Sequence, residues 1–219
     1  MKKVTALRAC LMVAVAAAGG SWGGEAVAPK AAPAPSVTNR PATDGVELLL
    51  KQAYDKIEEA KWADALNLLE RARKLAPENE VVRFGLGTVY IKLDMFKEAQ
   101  GLLEALCKEF PDNPALKNNL AWVYAKSKDP AIRNPEKAIR LAQDAMLGAP
   151  GDFNVWGTLA EGYYQAGRYD RAVRVAAAAL NMSRAAQDPS TPEFEELYRR
   201  CQRAAGGGVE EDTREKSAP

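Results

Sequence analysis

An all-α solenoid of helical hairpins is the fold this sequence predicts, and three observations predict it. One pattern of small and bulky residues occurs four times between residues 46 and 186, at spacings of 34, 39 and 34 residues. In register, Ala65, Ala99, Ala138 and Ala172 align, as do Trp62, Phe96, Pro135 and Tyr169, and then Ala72, Leu106, Ala145 and Ala179. Within each unit the apolar residues recur at three and four positions, the period of an amphipathic helix. A repeat of this length marks a supersecondary unit that cannot bury its apolar face alone, so neighbours stack to make a continuous core.

Taken in order, residues 1–26 read as an export signal. Lys2, Lys3 and Arg8 form a cationic start, Ala9 to Ala18 an apolar run, and Gly19, Gly20, Ser21 and Gly23 a small-residue exit. The run is about half the ~20 residues of a membrane span, which favours cleavage over an uncleaved anchor. Cys10 precedes the apolar run instead of following it, against a lipoprotein site. Residues 27–44 are rich in proline and alanine without helical period and read as an extended linker.

The repeats then span 46–79, 80–113, 114–152 and 153–186. The second is the most regular: Glu80 to Leu93 forms a first helix, Asp94 and Met95 a tight turn, Phe96 to Phe110 a second helix, and Pro111-Asp112-Asn113 the exit. Asn113 suits an N-cap and Pro114 a first helical turn, while Pro77-Glu78-Asn79 and Pro150-Gly151-Asp152 break the chain at equivalent places. The third repeat is five residues longer, within Lys126 to Pro135, where two prolines preclude uninterrupted helix and predict a loop between its paired helices. Residues 190–205 place Phe194, Leu197, Tyr198 and Cys201 on one stripe, as a helix capping the last repeat requires. Residues 206–219 combine three glycines with a mixed-charge run and read as a disordered tail.

Bulk properties narrow the function. The composition is that of a soluble globular protein, 47% hydrophobic and 27% charged. Removing the leader takes away three cations and one carboxylate, moving the net charge from +1 to −1, so neither nucleic acid nor an anionic membrane surface is a favoured partner. The chain has no histidine, which excludes a mixed Cys/His zinc site, and it has no phosphate-binding glycine loop or nucleophile motif. No catalytic residue, metal ligand or cofactor is assigned. Cys107 and Cys201 fall in separate parts of the stack, beyond the ~7 Å Cα reach of a disulfide, and read as packing thiols.

The repeats resemble the tetratricopeptide repeat family. The second shows Leu86-Gly87, Tyr90, Phe96, Ala99, Leu103 and Pro111, and the fourth shows Trp156, Leu159-Ala160, Tyr163, Gly167, Tyr169, Ala172 and Ala179. The third keeps Leu120-Ala121, Tyr124, Ala138, Ala145 and Pro150 despite its insertion. The first keeps Ala53, Trp62, Ala65, Leu69, Ala72 and Pro77 but has Gln52 and Lys56 where the family prefers leucine and tyrosine. The resemblance implies a right-handed solenoid of four repeats and a cap, acting as a non-catalytic protein–protein interaction module or assembly scaffold. With the leader, it places that module in the periplasm or outside the cell.

By the same resemblance, first helices line a concave groove that receives a partner segment. The mapped groove positions are Leu50, Lys51, Tyr54, Phe84, Thr88, Lys92, Asn118, Asn119, Trp122, Lys126, Thr158, Glu161, Tyr164 and Gln165. Of these, Tyr54, Phe84, Thr88, Asn118, Asn119, Trp122, Glu161 and Tyr164 are the candidate site, rings and amides suited to a short, largely neutral segment. Trp122 has two readings, as a ligand contact or as packing beneath the insertion. Some family members bind acidic chaperone C-termini through a basic clamp; Leu50, Tyr54 and Gly85 stand at those positions and leave only Asn119. Two other readings concern assembly: a homo-oligomer formed through Leu48, Leu49 and Leu50 of repeat 1, and a membrane-anchored accessory subunit of an envelope complex.

Overall fold

The computed structural model describes residues 40–215, with side chains described for 45–206. Among the described residues there are nine helices and no strand. They are α1 (Arg40–Glu58), α2 (Trp62–Leu75), α3 (Glu80–Lys92), α4 (Phe96–Glu109), α5 (Pro114–Lys126), α6 (Pro135–Gly148), α7 (Phe153–Gln165), α8 (Tyr169–Ala185) and α9 (Thr191–Glu215). The pairs α1/α2, α3/α4, α5/α6 and α7/α8 are the four hairpins, and α9 packs on α8 and touches α7.

Two boundaries differ from the sequence reading. Residues 40–44, read as linker, are the first turn of α1, and residues 206–215, read as a disordered tail, continue α9 as helix. Glycines 206–208 each cost about 1 kcal/mol against alanine in a helix interior, yet they do not end this one. The leader, linker residues 27–39 and residues 216–219 lie outside the described part.

Caps fix where the first helices of repeats 2, 3 and 4 start. Asn79 accepts from Val82 N, Asn113 from Ala115 N and Leu116 N, and Asp152 from Asn154 N, each supplying an acceptor to a free N-terminal amide. The second helices α2, α4 and α8 start from Lys61, Met95 and Arg168 with no side-chain cap bond. Lysine, methionine and arginine at those positions have no short side-chain oxygen to accept from the helix amides. Ala60, Asp94 and Gly167 take left-handed φ of 55°, 57° and 70° in the turns before these helices, a conformation that suits glycine and penalises a residue with a Cβ.

One backbone bond closes every hairpin. Lys61 N donates to Lys56 O, Met95 N to Tyr90 O, Asn134 N to Tyr124 O and Arg168 N to Tyr163 O, all at 2.8–2.9 Å. The insertion of repeat 3 therefore leaves the closure intact. Its extra residues fold on themselves, with Ser127 Oγ accepting from Asp129 N and Asp129 Oδ1 from Ala131 N, while Ile132 turns into the core at 6% exposure. The added length also gives α6 a cap, since Asn134 accepts from Lys137 N.

Small residues set the hairpin spacing. Ala53, Ala65, Ala99, Ala121, Ala138, Ala160 and Ala172 are all fully buried, and larger side chains such as Leu69, Leu86 and Leu103 fill the spaces between helices. A Cβ on Gly87 would come within 3.0 Å of Leu103, so the α3/α4 crossing relies on the bare backbone there. Repeats are joined by a second recurring contact. Tyr90 Oη donates to Glu70 Oε1 of the preceding hairpin at 2.6 Å, Tyr124 Oη donates to Glu104 Oε1, and Gln143 Nε2 donates to Tyr163 Oη at 3.1 Å. Each pair is 20 residues apart. Among the described residues no hairpin precedes repeat 1 to supply a partner, and Lys56 stands at the tyrosine position, its ammonium paired with Glu59 at 2.9 Å.

Candidate groove

The packing order identifies the inner surface. Helix α3 packs on α5 and α5 on α7, whereas no two second helices are in comparable contact. A stack whose first helices approach one another more closely than its second helices curves towards the first helices, which form its concave side. Helix α9 touches α7 in the same sequence and so stands where a fifth first helix would.

Along α5, Asn118, Trp122 and Lys126 follow one another at four-residue intervals on a single stripe. Trp122 is half-buried, and Lys126 Nζ sits 5.4 Å from the centre of its ring. Lys126 Nζ also lies 3.7 Å from Glu161 Oε1 on α7, crossing from one repeat to the next. Glu161 Oε1 accepts from Gln165 Nε2 at 2.8 Å, and Glu161 Oε2 is ion-paired with Arg200 Nη2 of α9. The Arg200 guanidinium stacks 4.6 Å over the Tyr164 ring, which in turn lies 5.6 Å from the Tyr169 ring. Trp122, Glu161 and Tyr164 are thus brought together, bridged by Lys126 and Arg200. Lys92 of α3, one repeat earlier at the register position of Lys126, lies 5.7 Å from the centre of the Trp62 ring.

Not every mapped position opens onto the groove. Phe84 is 4% exposed and belongs to the core, because α3 is flanked by neighbours on several sides and buries an almost continuous run from Val82 to Tyr90. Thr158 is buried, and its hydroxyl donates to Asn154 O. Glu161 is 1% exposed and its carboxylate is taken up by Arg200, Lys126 and Gln165, so it is the floor of the groove and not a free contact. Asn118 is 8% exposed, and its Oδ1 is buried without a hydrogen-bond partner among the described atoms. Thr88 is half-buried with its hydroxyl donating to Phe84 O. Asn119, Tyr54 and Tyr164 are half-buried, and burial pushes the Tyr54 phenol up to about 12.

Repeat 1 also requires a correction. Leu49 is 7% exposed and part of the core, whereas Leu48 is 56% exposed and Leu50 half-buried. Of the three leucines read as a self-association face, Leu48 is the one turned outward.

Arg200 and Phe194 were invisible as site residues in the sequence. Phe194 covers Gly157 of α7 so closely that a Cβ there would fall 2.6 Å from its ring, and it meets Phe153 edge-on, centroids 5.4 Å apart at 87°. That contact fixes α9 against α7 and brings Arg200 over the groove. Cys201, on the next position, is fully buried, and Cys107 and Cys201 are both free thiols. No helix of the described residues is long and apolar enough to cross a membrane, and no group of potential metal ligands is found among them.

This architecture is that of a protein–protein interaction module. The chain belongs to the tetratricopeptide repeat family, whose sequence profile matches residues 56–122 and 133–201. The solved structure of TTC0263, a thermophilic tetratricopeptide repeat protein of Thermus thermophilus, aligns with a TM-score of 0.63 at 20% identity, over 74% of this chain and 83% of that one. MamA of Desulfovibrio magneticus RS-1 aligns with a TM-score of 0.55 at 18% identity, over 67% of this chain and 80% of that one. At these identities the likeness is one of fold. No curated protein sequence matches the chain.

Proposed function

We propose that the protein is a non-catalytic scaffold of an exported compartment that holds a segment of a partner protein in its concave groove. The observation that carries this reading is the stripe on α5. There Asn118 presents a buried amide oxygen with no hydrogen-bond partner among the described atoms, beside the half-buried Trp122 ring and Asn119. A buried, unpaired amide costs about 1–3 kcal/mol, and a backbone amide of a bound segment would offset it. Aromatic anchors beside such amides are the usual centres of interface energy. The cationic leader followed by an apolar run supports the exported compartment.

The test is cross-linked capture from the envelope fraction by the intact protein and by a Trp122→Ala/Asn119→Ala double variant. The reading expects capture to fall by at least tenfold while thermal melting stays within a few degrees. Undiminished capture by a normally folded variant contradicts it.

A second reading is self-association through repeat 1. Leu48 and Leu75 are 56% and 54% exposed, and Leu75 Cδ1 lies 3.7 Å from the Cβ position of Gly45 on α1. Leu48→Glu separates the readings: a dimer that becomes a monomer of unchanged stability supports self-association, and a wild-type monomer rules it out.

A further inference from the structure

We infer that the segment received by the groove carries an acidic side chain beside an apolar one, and that the carboxylate sits between Lys126 of α5 and Arg200 of α9. This rests on the groove reading above and specifies the chemistry of its occupant.

The argument is one of unbalanced charge. Two cations converge on the one carboxylate of Glu161, whose Oε1 is already taken by Gln165 at 2.8 Å. Arg200 pairs with Oε2, so Lys126 is left with a long contact, 3.7 Å from an oxygen that already has a closer donor. Arg200 has a further unspent donor, since its Nε is buried and has no hydrogen-bond partner among the described atoms. Arginine is a fork of five donors, and here Nη2 is engaged by Glu161 while Nε on the same edge is not.

Both side chains remain reachable, Lys126 at 33% and Arg200 at 32% exposure, while Glu161 at 2% is too deep to meet a ligand. The groove therefore presents net positive charge above a buried negative floor. Each cation also lies against a ring, Lys126 on Trp122 and Arg200 on Tyr164. Those rings offer apolar faces next to the charge. An Asp or Glu followed by an apolar residue satisfies both features, whereas a basic segment would meet uncompensated repulsion.

The capping helix acquires a second role in this arrangement. Without α9 the two cations reduce to one, and Glu161 neutralises it. The positive character of the groove at this end comes from α9, so the cap is also a specificity element.

The test is selection of a displayed random dodecapeptide library on the full-length protein, followed by titration of the best synthetic peptide. Selected sequences are expected to be enriched in Asp or Glu next to an apolar residue. Affinity is expected to fall about tenfold in Lys126→Gln and to weaken as salt is raised, as a partly exposed ion pair requires. Arg200→Lys keeps the charge that Glu161 needs for folding while removing the fork, and is expected to weaken the same peptide. Peptides without acidic enrichment, or with equal affinity for wild type and Lys126→Gln, overturn the inference while leaving a groove ligand in place. Failure to select any peptide, or binding untouched by Trp122→Ala, overturns the groove reading and this inference with it.

Discussion

Removing the Phe194 ring should release the capping helix before the rest of the solenoid. The ring is 8% exposed, covers Gly157 and meets Phe153 edge-on. Burying a phenylalanine removes about 200 Å² from water, and at about 25 cal/mol per Å² its truncation costs roughly 3–4 kcal/mol once the retained Cβ is allowed for. For a chain of this size each kcal/mol moves the melting temperature by about 2–4 °C. Repeat proteins distribute such losses locally. The loss falls on α9, which contacts α7 and α8, so Phe194→Ala should split off an early transition. Cys201 reports on it. Its thiol belongs to α9 and is fully buried in the core that α9 shares with α7 and α8, and burial pushes it up to about 11. Cys107, in α4, serves as an internal control. Timed alkylation read by mass spectrometry should show Cys201 labelled much faster in Phe194→Ala and Cys107 unchanged. A variant that melts as wild type with Cys201 still protected would refute the docking geometry.

Further outcomes follow from the same contacts. Tyr124→Phe removes the hydroxyl donated to Glu104 and should cost about 1–1.5 kcal/mol in urea unfolding; a loss near zero would deny the inter-repeat ladder any energetic weight. The bonds from Tyr124 and then Gln100 hold the Glu104 carboxyl below its usual range. Its contribution is therefore complete above about pH 4.5 and lost as pH falls through the lowered native value. Acid titration of stability should be shallower there in Tyr124→Phe. Gly167→Ala, at φ 70°, should lose about 1 kcal/mol, while Ala60→Gly, at φ 55°, should gain roughly 0.5 kcal/mol after its unfolded-state entropy is counted; chemical denaturation of both variants checks the sign. Ala99→Glu buries a charge at a fully enclosed position and should cost several kcal/mol, so unchanged melting would contradict the packing.

The repeat architecture was legible because its pattern is steric. Alanines at the hairpin crossings and rings at the turns follow from how closely two helices approach, and they recur wherever hairpins stack. Repeat 1 looked degenerate because Lys56 stands at the tyrosine position, and among the described residues no hairpin before it offers a carboxylate to a hydroxyl there. The groove was less legible. Phe84 and Thr158 fall at positions mapped to the groove but are buried, because an inner helix packed between neighbours hides more than one stripe. Leu49 and Leu48 are adjacent, and one residue's rotation about α1 separates core from surface. Arg200 reaches Glu161 across 39 residues from a helix outside the repeat, so no period relates them. Of the candidate residues in α5, Trp122 adjoins the Glu161 cluster through Lys126, and no hydrogen bond or ion pair among the described residues joins Asn118 or Asn119 to it. The bounds of α1 and α9 were missed because composition favours loop where the chain continues as helix.

The central claim is that the concave face formed by α1, α3, α5, α7 and α9 receives the partner. A photo-reactive phenylalanine analogue placed singly at Thr88 or Asn119 on first helices, and at the exposed Asp144 or Arg174 on second helices, tests it directly. In the native compartment the first pair should cross-link one common partner and the second pair should not. Cross-linking from Asp144 and Arg174 alone, or equally from all four positions, would contradict the account.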